Sequence, residues 1–346
     1  MFISDIAARV NLSSMGNETV ETIITDDSGH TTIAAVPAGI SAGKYEAKTV
    51  PAQEAIAEIE RVRGTISGKD WDQKTLDEHL VSLGIAGNST LAISVAFWKS
   101  QLTEEPKYSK FPILLLLMFE GGKHGNESLT IQEFTIQESL LSEAIADFKL
   151  MRKHLKENNI STTVGVEGAF SPAGFGNEDA LRIIKELFAG KKISLDVAGS
   201  FENENINFDK LMAENNMGSI EDPYDEEAWS KWEEFYNKYK EKILIIGDDL
   251  TATNTQRIKK ALNPRVISGV IIKPNQNGTI SGTMEAVRTA RENDLKVVFS
   301  HRGEDTDDDW LVDLALTAQA DYVKFGGMER GERIAKYNRL LELGMK

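Results

Sequence analysis

The chain has 346 residues, with 54 Asp and Glu against 39 Lys and Arg, a formal charge of -15 and no cysteine. That acidic balance repels nucleic acid and anionic membrane surfaces, and the lack of thiols excludes disulfides and cysteine nucleophiles. Its length exceeds the size at which a single core usually stops growing, so one large barrel or two domains are expected. The start MFISDIAARV lacks the basic-then-apolar layout of a signal peptide. The longest apolar run, 113–119, is too short to span a bilayer, and a cytoplasmic location is the expectation.

In chain order, β-rich runs at 2–10, 19–25 and 31–36 read as an antiparallel meander, the last two joined by the turn signal Asp26-Asp27-Ser28-Gly29. A small-residue loop at 37–43 follows, then helical patterns over 53–63, 73–83 and 89–102. Residues 1–107 thus form an α+β unit. From 108 to 346 short β-rich blocks alternate with amphipathic stretches, the pattern of parallel strands with helical crossovers, and a (β/α) barrel is predicted. The blocks fall at 113–119, 129–136, 162–166, 193–197, 218–220, 243–246, 266–272, 297–300 and 322–325, one more than eight strands require.

A barrel's reactive groups stand at the carboxyl ends of its strands. Here those ends carry Asp196, Glu221-Asp222, Asp248-Asp249, Lys273, His301-Arg302 and Lys324. Asp196, Glu221 and Asp248 suit a hard divalent cation, the other role for such acids being to cap the helices that follow. Lys273 and Lys324 end apolar strands, where desolvation and nearby cations lower a lysine pKa and make a general base; the alternative is a snorkelling side chain. Lysines, Arg302 and three acids on one rim point to an anionic substrate bridged by metal, and to proton abstraction beside a carboxylate. Glu167, in the glycine-flanked stretch 165–170, is placed to protonate a leaving hydroxyl, with its pKa expected to rise on burial.

Read together, Ser219-Ile220-Glu221-Asp222-Pro223, Gly247-Asp248-Asp249-Leu250-Thr251, Lys273-Pro274-Asn275-Gln276, Ser300-His301-Arg302 and Ile334-Ala335-Lys336-Tyr337-Asn338 resemble the motifs of enolase, the glycolytic phosphopyruvate hydratase. Gly121-Gly122-Lys123-His124 and Gln132-Glu133-Phe134 are similar to two more. The resemblance implies an α/β fold, a ββαα(βα)6 TIM-like barrel under a smaller N-terminal α+β capping domain, and assigns the block at 162–166 to an inserted connection. It implies that Asp196, Glu221 and Asp248 bind the first of two magnesium ions, that Lys273 removes the C2 proton of 2-phosphoglycerate, and that Glu167 protonates the departing hydroxyl. Lys324 would meet the substrate carboxylate, and Arg302 with the backbone at Gly303 its phosphate. Gln132, His124 and the catalytic Glu133 and His301 would surround them. Ser41 would close over the substrate and help hold the second magnesium. A homodimer is the assembly the resemblance suggests.

The chain departs from the family pattern in places. It is shorter than most members; Val166 stands where Asp is usual, Gly303 where Ser is usual, Ala38 and Ala42 replace Ser and Thr in the loop, and Met15 replaces an Arg. Two other functions remain compatible with these residues: a lyase or racemase of the same superfamily acting on another carboxylate, and a non-enzymatic binding protein that keeps the fold.

Overall fold

The computed structural model describes residues 1–37, 43–102, 108, 110–199 and 206–346. The first strands, β1 (Phe2–Leu12), β2 (Glu18–Asp26) and β3 (Thr31–Ala35), pair antiparallel, and the short β4 (Lys69–Asp70) completes a sheet of order β3-β2-β1-β4. The predicted turn forms as Asp26 accepts hydrogen bonds from the backbone N–H groups of Ser28 and His30 (2.9 Å each), with Gly29 at φ 84°.

Three helices follow, α1 (Ala52–Ile66), α2 (Gln73–Ser82) and α3 (Gly87–Ser100). Residues 89 to 98 of α3 are all buried, and the helix packs on β2 and β3 on one side and on the barrel on the other. Its polar groups finish the barrel's own helix ends. Thr90 donates to the carbonyl of Gly278 (2.7 Å), Ser94 accepts from the N–H of Ile280 (2.9 Å), and Asp77 on α2 accepts from that of Ser281 (2.8 Å). The two halves therefore share a core and a set of caps.

The barrel strands are β5 (Ile113–Glu120), β6 (Glu133–Glu138), β7 (Ile193–Asp196), β8 (Met217–Glu221), β9 (Leu244–Gly247), β10 (Gly269–Ile272), β11 (Lys296–Ser300) and β12 (Tyr322–Lys324). They close in the order β10-β11-β12-β5-β6-β7-β8-β9. β6 runs antiparallel to both its neighbours and every other pairing is parallel. Helices α4 (Leu141–Glu157) and α5 (Asn177–Leu187) separate β6 from β7, and each later strand is followed by a helix, giving the ββαα(βα)6 order. Seven of the eight residues of β5 are buried, as a strand covered on both faces requires. The block at 162–166 supplies only an isolated bridge, Val164 to Phe170, and lies in the connection between β6 and β7. Among the described residues no helix is long and apolar enough to cross a membrane.

Candidate active site

Strand register builds the rim. Glu120 pairs with Glu133, Glu133 with Asp196, and Asp196 with Glu221, so four buried carboxyls from β5, β6, β7 and β8 stand side by side. Three of them meet one ammonium: Lys324 Nζ lies 2.8 Å from Glu221, 3.1 Å from Glu133 and 3.2 Å from Asp196. Asp248 follows β9 and pairs closely with Lys273, the residue after β10. Gln276 donates to the other Asp248 oxygen (3.1 Å), while Asp222, at φ 41°, accepts from the backbone N–H groups of Asp248 (2.8 Å) and Asp249 (2.7 Å).

These groups open on a cavity of about 790 Å³ lined by Gln132, Glu133, His124, Glu167, Asp196, Asp248, Lys273, His301, Arg302 and Gly303, among others. Every site residue expected from the sequence and described here is thus brought together, with Glu221 and Lys324 directly beneath. Ser41 lies outside the described residues, as do Ala38 and Ala42.

Glu167 is 2% exposed and faces two imidazoles, with His124 Nδ1 at 3.2 Å and His301 Nε2 at 3.6 Å. Burial disfavours the charged form of His124, but Glu167, with Glu133 and Asp196 behind it, outweighs it and pushes the ring up to about 9. His301 is driven the opposite way, by burial and by Arg333, whose guanidinium donates to His301 Nδ1 (2.6 Å). His301 is therefore neutral and carries its proton on Nε2, toward Glu167.

Two expectations about charge are corrected. Burial does raise the Glu167 pKa, but His124, His301 and Arg333 together more than cancel it and the carboxyl is held well below its ordinary range, not above it. Burial likewise lowers Lys273, as do Arg302 and Lys324, yet the carboxylates around it, Asp248 first and Glu221 after it, together outweigh them, and the ammonium is held above its ordinary value. The summed opposite charge around each group decides in both cases.

The donor set fits a hard divalent cation. Burial, and after it Asp196, push Glu221 well above the carboxylate range even with Lys324 in contact, so the acids exceed the positive charge the protein supplies. Asp196, Glu221 and Asp248 offer only oxygen, and their carboxylates are turned onto Lys324 and Lys273. A tighter set, His124, Glu133 and Glu167, has ligand atoms within 4.8 Å of one another.

Several contributors were not anticipated. Glu46 makes a two-point pair with Arg302, Asn275 accepts from the same guanidinium (3.1 Å), and Arg333 donates to the carbonyls of Arg302 and Gly303 (2.7 Å each). Glu120 was also passed over, although it ends an apolar strand as the recognised residues do.

A family model described as "Enolase, C-terminal TIM barrel domain" matches the chain in two overlapping segments, 109–216 and 200–345, which together cover well over half of it.

Proposed function

Because the chain belongs to the enolase superfamily, we propose that it is a hydro-lyase that interconverts 2-phosphoglycerate with phosphoenolpyruvate and water. The observation that carries this reading is one cavity holding both a lysine ammonium beside an all-oxygen acidic set and a buried carboxyl between two imidazoles. Removing a proton beside a carboxylate creates a second negative charge on the substrate. Asp196, Glu221 and Asp248 would hold magnesium, whose charge stabilises that enolate.

Lys273 gives up its proton only when its hold on Asp248 is broken, which links its action as base to the engagement of Asp248 elsewhere. Lys324 and Arg302 supply fixed positive charge for carboxylate and phosphate. The charge state these surroundings favour, ammonium at 273 and carboxylate at 167, suits hydration. Glu167 takes a proton from water as its oxygen adds to C3, and Lys273 delivers one to C2. Elimination uses the complementary state of the same pair.

One observation favours a second reading, a superfamily lyase or racemase acting on an unphosphorylated carboxylate: Glu46 already engages the guanidinium expected to bind phosphate. Comparing kcat/KM for 2-phosphoglycerate with that for glycerate and related hydroxy acids separates the two. Turnover confined to the phosphorylated acid supports the hydro-lyase, and preference for an unphosphorylated acid overturns it.

A further inference from the structure

We infer that Glu120 is a positioning residue for Glu167: its buried carboxyl binds the backbone of the 165–169 turn and so fixes where the acid is presented. The inference rests on the proposed function, because it assigns Glu120 to the hydroxyl-transfer half of that reaction.

The turn that carries Glu167 belongs to no barrel strand, so its polar backbone groups need partners from elsewhere. Most find backbone. The N–H of Gly165 reaches the carbonyl of Ala169 (3.1 Å) and that of Val166 the carbonyl of His124 (3.0 Å). The carbonyls of Glu167 and Gly168 accept from Gly327 (2.9 Å) and Glu329 (3.2 Å). Of the three N–H groups left, those of Glu167 and Ala169 each lie 2.8 Å from a Glu120 oxygen, Oε2 and Oε1 respectively. One carboxyl thus grips the turn on both sides of the Glu167–Gly168 pair.

The fit is specific. A Cβ on Gly165 would lie 2.5 Å from Glu120 Cδ and 2.4 Å from the His124 carbonyl, so the carboxyl reaches the turn only because residue 165 is glycine. Glu120 is fully buried, and among the described residues no Lys or Arg pairs with it, in contrast to Glu133, Asp196 and Glu221, which share Lys324. A carboxyl so placed is costly to bury for stability alone. Its two acceptor oxygens match the spacing of two N–H groups flanking the acid, a grip that neither an amide nor an apolar side chain reproduces.

The test measures two rates on the magnesium-loaded protein: exchange of the substrate C2 proton with solvent, which reports Lys273, and formation of phosphoenolpyruvate, which also needs Glu167. Glu120→Gln keeps the shape but turns an amide N–H₂ toward a backbone N–H. It should slow product formation on the order of 10²-fold while leaving exchange and KM within about twofold, as misplacement of a single group does. Retained exchange also shows that the variant is folded; Glu120→Asp, one methylene too short to reach, gives a second reading of the same two rates. In a Glu167→Gln background Glu120→Gln should add nothing, because the group it positions is gone. Equal loss of both rates, or full activity, overturns the inference. A wild-type protein that neither exchanges nor eliminates overturns the proposed function, and this inference with it.

Discussion

Arg302 and Glu46, 256 positions apart in sequence, form a two-point ion pair at the cavity wall, Nη1 to Oε2 at 2.9 Å and Nη2 to Oε1 at 3.3 Å. Both side chains are at most 8% exposed. Truncating one member of a buried pair removes the charged partner of the other, so Glu46→Ala should destabilise the protein by about 3 kcal/mol in denaturant unfolding. Inorganic phosphate should then raise the melting temperature of the variant more than that of the wild type, because it supplies the missing counter-charge. Equal shifts would mean that Arg302 does not present itself to anions.

The division of labour between Lys273 and Glu167 gives a second prediction. Lys273→Ala should abolish exchange of the C2 proton with solvent, whereas Glu167→Gln should block hydroxyl loss and still permit exchange, both read by deuterium incorporation. Identical effects on the two steps would sink the assignment.

A third concerns pH and stability without metal. Burial first, and then neighbouring carboxylates, push Glu133 up to about 8 and Asp249 up to about 7. A carboxyl whose folded pKa is raised binds its proton more tightly in the folded state. Its contribution is complete below the ordinary carboxylate range and is lost as pH rises through the folded value. His124, pushed up to about 9, acts with the same sign. The melting temperature of chelator-treated protein should therefore fall steadily between pH 5 and pH 9, about the window these groups span. Magnesium should flatten the decline, since it replaces protons as the counter-charge. A metal-free protein that gains stability across this window would contradict the account.

A fourth prediction separates stability from activity at the opposite mouth of the barrel. Lys191 donates to both oxygens of the buried Glu138 (2.7 Å each) and lies 2.6 Å from Asp147. Lys191→Ala leaves Glu138 buried among like charge and should cost about 2 kcal/mol of unfolding free energy. Because β6 runs from Glu133 at the cavity to Glu138 at the far end, kcat should not change.

How much of this was readable in sequence follows from strand direction. Asp196, Glu221, Asp248, Lys273 and Lys324 each end or directly follow an apolar block, and parallel strands deliver such residues to one rim. Glu133 opens β6 and Gln132 precedes it, and because that strand is reversed they reach the same rim from its beginning; only the Gln-Glu-Phe motif pointed to them. Glu120 did carry the general signal, a carboxyl closing the run 113–119, and its partners became apparent only in the fold.

Arg333 and Glu46 gave no such signal. Arg333 lies on the C-terminal helix (Gly331–Glu342), where an arginine ordinarily faces solvent, yet it is fully buried and holds His301 and the carbonyls that follow it. The pairing of Glu46 with Arg302 depends on how the N-terminal unit seats on the barrel. The charge states of Glu167 and Lys273 were misjudged for a related reason: burial is legible in an apolar flank, but the sign of a pKa shift is set by all the charges the fold gathers around the group.

The most direct test of the central claim is an ultraviolet assay of phosphoenolpyruvate formation from 2-phosphoglycerate, run with magnesium, with a chelator, and with the Lys273→Ala protein. The account predicts turnover that the chelator removes, magnesium restores and the substitution abolishes. Folded, magnesium-loaded wild-type protein that forms no phosphoenolpyruvate, or a Lys273→Ala variant that forms it at the wild-type rate, would contradict it.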